Sequence, residues 1–194
     1  MATVARWLHI YLSMFGFATI FFFSVTGITL NHPTWFGFAT DRHTDFQGQV
    51  DATLLAGNTQ DDGGVDRLML AEFLRKQHSL KGSVTDFRAD EFECSITWKS
   101  PGYAADAVVD RESKQYRLTV VEHGLVPLIN DLHKGRDSGA VWSVVIDVSA
   151  LLMAISSVTG VVLLFYIKRK LVPGLWTALA GAAALLALYL FGVP

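Results

Sequence analysis

The chain has one cysteine, Cys94, in 194 residues, so no internal disulfide can brace it. The lone thiol falls in an alternating segment and reads as a buried strand residue. Charge is missing from three long stretches: Trp7 to Leu30 and Leu171 to Pro194 carry none, and Ala140 to Ile167 carries only Asp147. A soluble globule would spread its hydrophobic residues, 51% of the chain, more evenly. No nucleotide-binding signature is present. A net charge of −2, with almost all acids in one central segment, gives no sign of nucleic-acid binding. The first apolar stretch also lacks a small-x-small cleavage site and has too long a core for a signal peptide, so it is expected to stay as an anchor.

Each uncharged stretch exceeds the roughly 20 residues that a ~30 Å hydrocarbon layer requires. They predict three transmembrane helices, 7–31, 140–167 and 171–193. Arg6 and the run Lys168-Arg169-Lys170 are the only basic residues outside the central segment, and basic excess marks the cytoplasmic side. The N-terminus and the short second loop are therefore expected inside, and residues 32–138 and the C-terminus outside.

The central segment, roughly 108 residues from Asn31 to Ser138, is too long for a structureless loop and predicts a folded domain. His43 to Gly64, rich in glycine, asparagine and aspartate, reads as an extended lead-in with room for one strand. Val65 to His78 places Leu68, Leu70, Ala71, Phe73 and Leu74 at helical spacing. Four short strands are expected at Ser83–Arg88, Phe92–Lys99, Ala104–Asp110 and Gln115–Val121, the later ones separated by turn chemistry at Pro101-Gly102 and Asp110–Lys114. A short amphipathic helix near 124–134 suits the outer membrane surface. The expected fold class is thus a mainly α integral membrane protein with an extracytoplasmic α+β domain between its first two spanning helices.

Three of the six histidines flank the apolar stretches. His9 opens the first, His32 closes it, and His133 precedes the second. An imidazole beside lipid is costly unless paired or bound, and histidine is the commonest axial ligand of haem iron in helical bundles. His9 and His32 are separated by 23 residues, about 35 Å of helix, so one chain cannot place both on one iron. His32 with His133 is the expected pair at the outer face. His9 is left to a second subunit, to a five-coordinate iron, or to no iron. His43, His78 and His123 read as ordinary domain residues.

The segment Ser24-Val25-Thr26-Gly27-Ile28-Thr29-Leu30 is nearly repeated by Ser157-Val158-Thr159-Gly160-Val161-Val162-Leu163. On antiparallel helices the two copies lie toward opposite membrane faces, as two related half-sites. Gly27 and Gly160 permit close approach of another helix or of a flat ring. Arg6, Lys134 and Arg136 are candidates for haem propionates, with membrane-edge anchoring as the plainer reading. Asp147, about 10 Å into the bilayer by helical rise, is an acid in costly surroundings, open to pairing with Arg136 or Lys134, to proton movement or to a hydrogen bond with a histidine. Gly174, Ala178 and Ala182 form a small-residue face compatible with a homodimer.

Trp7-Leu8-His9, Thr26-Gly27, Leu132-His133-Lys134-Gly135-Arg136, Asp147 and Thr159-Gly160 ahead of Lys168-Arg169-Lys170 together resemble the PepSY-associated transmembrane proteins of bacteria. The helix and strands between Val65 and Val121 look like a PepSY domain. The resemblance implies a multi-pass inner-membrane protein with one or two haem b groups, whose relatives reduce ferric siderophores or pass electrons to flavoproteins. It supports His9 and His133, and less directly His32, as iron ligands. The chain departs from larger relatives in having three spans rather than four or more. Asp137-Ser138-Gly139-Ala140-Val141 ends in Val where covalent flavin would need a hydroxyl, so no covalent flavin is expected.

The expected function is a membrane electron-transfer subunit carrying electrons from a quinol or cytoplasmic reductant to an extracytoplasmic redox protein or ferric chelate. Such a subunit would serve as the membrane component of a reductase. The rival is a membrane-anchored PepSY binding or regulatory module without redox activity.

Overall fold

The computed structural model describes residues 2–35, 40–56 and 64–194. Residues 57–63, part of the expected lead-in, lie outside the described residues. The elements run α1 (Ala2–Phe15), α2 (Phe17–Asn31), β1 (Arg42–Gln49), α3 (Arg67–His78), β2 (Ser83–Ala89), β3 (Glu93–Ser100), β4 (Tyr103–Asp110), β5 (Gln115–Glu122), α4 (Leu125–Lys134), α5 (Gly139–Phe165) and α6 (Lys168–Gly192). They fall into two compact units, residues 1–22 with 146–194, and residues 23–145.

The helices α5 and α6 are each long and apolar enough to cross a membrane, and α1 with α2 would make a third crossing as a bent pair. The expectation of one continuous first helix is corrected here: the chain bends by 56° between α1 and α2. The break falls at Gly16, where a Cβ would lie 3.6 Å from Leu152 Cβ and 3.4 Å from Leu12 O. Glycine carries the highest helix cost after proline, and an apolar run that is uniform in hydropathy breaks at Gly16, whereas Gly27 stays inside α2. The helix α6 begins at Lys168, so the basic run forms its first turn and only Tyr166 and Ile167 separate it from α5. Gly174 receives the Leu164 side chain, whose Cδ1 would stand 2.6 Å from a Cβ there. The small-residue face expected for a partner copy is thus engaged at Gly174 by the chain's own α5.

The second unit contains a five-stranded antiparallel sheet in the order β1-β5-β4-β3-β2. Alternation in β3 and β4 sends Cys94, Ile96, Trp98, Tyr103, Ala105, Ala107 and Val109 to one face, where Leu70, Ala71 and Leu74 of α3 cover them. Asp66 caps α3 by accepting from Met69 N at 3.0 Å. Ser79, at φ 53°, ends it in the left-handed conformation. The β3–β4 turn is Pro101-Gly102, with Gly102 at φ +66°, the placement a type II turn demands. β1 pairs with β5 along its full length, Arg42 opposite Glu122 to Gln49 opposite Gln115.

Candidate functional site

Each unit holds one copy of the Thr-Gly repeat with one histidine against it. In the first unit, His9 Nδ1 lies 2.9 Å from Thr159 Oγ1 and 3.1 Å from Ser156 O. In the second, His133 Nδ1 lies 2.6 Å from Thr26 Oγ1. The glycine after each threonine faces the same ring. A Cβ on Gly160 would come within 3.3 Å of His9 Cε1, and one on Gly27 within 3.8 Å of His133 Cε1. Thr159 and Thr26 are buried, 8% and 2% exposed, so these bonds form away from water, where an unmet polar group is costly.

These contacts assign the proton on His9. A carbonyl oxygen only accepts, so Nδ1 must donate to Ser156 O. The Thr159 hydroxyl donates back to Ile155 O at 2.9 Å and Ser156 O at 3.0 Å, leaving its lone pairs for the same Nδ1–H. The neutral ring then carries its free lone pair on Nε2. Thr26 Oγ1 donates to Phe23 O at 3.4 Å and meets His133 Nδ1 at 2.6 Å, a hydroxyl–imidazole pair in which either group can donate. Phe23 meets the His133 ring edge-on at 5.1 Å. Both imidazoles thus have Nδ1 engaged, and on His9 this leaves Nε2 as the lone-pair nitrogen, the arrangement by which ligating histidines are oriented.

Among the described residues no three His, Cys, Asp or Glu side chains converge, so a bare ion would find one nitrogen donor at each position. A porphyrin supplies four nitrogens and asks the protein for axial ligands. Ser156 Oγ, buried and without a partner among the described residues, adds an unmet hydroxyl beside the carbonyl that orients His9.

His32 is placed differently. Its ring stacks on Trp35 with centroids 3.6 Å apart, and its Nε2 accepts from Asn31 Nδ2 at 3.2 Å. Thr29 and Asn130 bond at 2.8 Å, so α4 runs antiparallel to α2 with His133 beside Thr26. His32 lies six positions beyond Thr26, about 9 Å of helical rise. The contacts therefore group His133 with Thr26 and Gly27 rather than with His32.

The flanking charges are less organised. Arg6 is exposed, and Arg136 Nη1 stands 3.6 Å from Asp131 Oδ1. Asp147 is exposed on α5 and makes no ion pair among the described residues. In the sheet domain, His123 pairs with Asp41 at 2.9 Å, and His78 Nε2 meets the Tyr116 hydroxyl at 2.8 Å. Burial pulls the His78 pKa below its usual 6.5 and raises that of Tyr116.

Sequence reasoning singled out the repeated Thr-Gly motif as two half-sites but missed that each threonine is the orienting partner of a histidine. The signal was the repeat itself, two Thr-Gly motifs on helices that histidines flank, but with three such histidines, His9, His32 and His133, the count alone did not pair them. The chain matches no curated protein and no solved structure. Residues 3–194 match the family model described as PepSY_TM-like, and the chain belongs to that family.

Proposed function

We propose that this chain is a haem b-binding electron-transfer subunit of the bacterial inner membrane, with His9 and His133 as its iron ligands. The observation that supports this reading is the doubled His–Thr-Gly arrangement, in which both rings have Nδ1 engaged and His9 keeps Nε2 as a lone-pair donor. Haem supplies reversible one-electron chemistry when bound. The residues of the chain orient the two imidazoles, exclude water around Thr26 and Thr159, and leave room at Gly27 and Gly160. Arg6 precedes His9 by three residues and Lys168 follows Gly160 by eight, which puts the His9 site toward the cytoplasm under the basic-residue rule. Arg136 and Lys134 beside His133 suit propionates at the outer face. Electrons would enter from a quinol or cytoplasmic reductant and leave to an extracytoplasmic redox protein or ferric chelate.

A second reading, a membrane-anchored binding module, draws on the same bonds, because histidine and threonine also join membrane helices without any cofactor. Purification with ample haem separates the two. The electron-transfer reading expects a Soret band and two haems per chain by pyridine haemochrome, with His9→Ala and His133→Ala each removing one. No Soret band, or an unchanged reduced spectrum in His133→Ala, overturns it.

A further inference from the structure

The helix that carries His133 also carries the contact that ties it to the sheet domain. α4 has ten residues, too few to hold its own position in isolation, so its anchors set where His133 points. One side meets α2, through Asn130 with Thr29 and His133 with Thr26. The other meets the β3–β4 turn, where Asp131 Oδ2 accepts from Gly102 N at 3.0 Å. The backbones are pressed together there: a Cβ on Gly102 would stand 2.9 Å from Leu128 Cβ and 3.1 Å from Leu128 Cα. Gly102 O in turn accepts from His123 N at 2.9 Å, binding the turn to the end of β5. Leu128 and Asp131 are a helical turn apart, as are Asn130 and His133, so the two grips lie on different faces of one short rod.

We infer that Asp131 is a positioning residue for His133, and that through Gly102 the outer sheet domain is mechanically part of the His133 site. A load on the β3–β4 turn acts on the imidazole without touching it. Asp131 is about one-fifth exposed, and its carboxylate is shared between the Gly102 amide and the more distant Arg136 guanidinium. Releasing the amide bond removes the polar tie of α4 to the turn and leaves the helix to its α2 contacts, to Leu128 packed on Gly102 and to Trp142 Nε1, which donates to Leu132 O at 2.8 Å. The inference rests on the proposed role of His133, but the latch is a property of the protein without any cofactor.

The test is therefore read first on the full chain without haem, in lipid nanodiscs, by long-range proton–nitrogen correlation of the imidazole rings. Wild type should show one tautomer, protonated at Nδ1, for both His9 and His133. Asp131→Ala and Gly102→Ala should each shift the His133 ring nitrogens toward a tautomer mixture and leave His9 unchanged. Exchange of the α4 amides should quicken about tenfold in Asp131→Ala, the scale expected for losing one charge-assisted hydrogen bond. Asp131→Asn, which keeps an oxygen for Gly102 N, should restore the wild-type signals. Unchanged His133 signals in both disruptive variants overturn the inference, as do shifts of equal size at His9. Haem binding is read separately: a chain that takes up no haem refutes the proposed function while the ring signals still decide the latch. Normal haem spectra and potentials in Asp131→Ala refute the latch and leave the function standing.

Discussion

Removing the threonine acceptors one at a time should affect the two histidines unequally. Thr→Val deletes an oxygen with little change of shape. At the first site, Thr159→Val takes away one of two acceptors and leaves Ser156 O, 3.1 Å from His9 Nδ1, so the proton stays where it is. The expected cost is one net hydrogen bond, about 0.5–1.5 kcal/mol, or about 2- to 12-fold in haem affinity. At the second site, Thr26→Val removes the oxygen that His133 Nδ1 meets at 2.6 Å. An orphaned buried donor costs about 1–3 kcal/mol, or about 5- to 150-fold. The ring can escape that cost by moving its proton to Nε2, which abolishes the ligand lone pair. Haem titration of Thr159→Val in a His133→Ala background, and of Thr26→Val in a His9→Ala background, reads each site alone. Equal losses, or a larger loss at Thr159, would refute the assignment of Ser156 O as a second acceptor.

Other perturbations probe the close packing and the sheet domain. Gly160→Ala should disturb His9 more than Gly27→Ala disturbs His133, because the added methyl meets Cε1 at 3.3 Å in one case and 3.8 Å in the other. The ring-nitrogen shifts of each variant measure this, and a larger effect at Gly27 speaks against it. Because burial lowers the His78 pKa below 6.5, the unfolded chain binds that proton more readily. The associated stability is complete above about pH 6.5 and declines as pH falls through the folded value. Urea melts between pH 5 and 7.5 should show this slope in wild type and lose it in His78→Gln. The carboxylates of Asp51, Asp90 and Asp110, lowered from 3.8 by hydrogen bonds to nearby backbone amides, stabilise the fold throughout this window and lose that contribution only at more acid pH. Cys94 is 0% exposed, and burial raises its thiol pKa. A thiol reagent should label it only after denaturation, so prompt labelling of the native chain at neutral pH contradicts the packed core.

Elements governed by local pattern were legible in the sequence. Helix α3 lies inside the predicted Val65–His78, and strands β2 to β5 match the four predicted segments to within a residue or two at each end, because period-two burial and turn residues are local signals. β1 was visible only as room for one strand. Its residues Arg42–Gln49 alternate weakly and take their strand form from pairing with β5, more than 60 positions away. The bend at Gly16 was hidden because hydropathy is continuous across it, and Gly27 in the same run sits inside a helix without breaking it. Of the site, the histidines, Gly27 and Gly160 were named from spacing and motif. Which histidine meets which threonine was not legible: His32 and His133 share a membrane face by depth, whereas the match is set by the register of α4 against α2, fixed in part by Asn130 and Thr29.

The two histidine bonds also fix an order of assembly. His9 and Thr159 are 150 residues apart in the chain, and Thr26 and His133 are 107 apart. During synthesis at about 5–20 residues per second, His9 leaves the ribosome long before any acceptor for its ring exists, and it enters the bilayer with neither nitrogen committed. Thr26 waits in the same way for a helix that lies beyond the whole sheet domain. A chain stopped before α5 would contain the whole sheet domain and His133, yet would offer His9 no preferred tautomer. The two histidine bonds therefore become possible in sequence, that of His133 first and that of His9 only once α5 has been made.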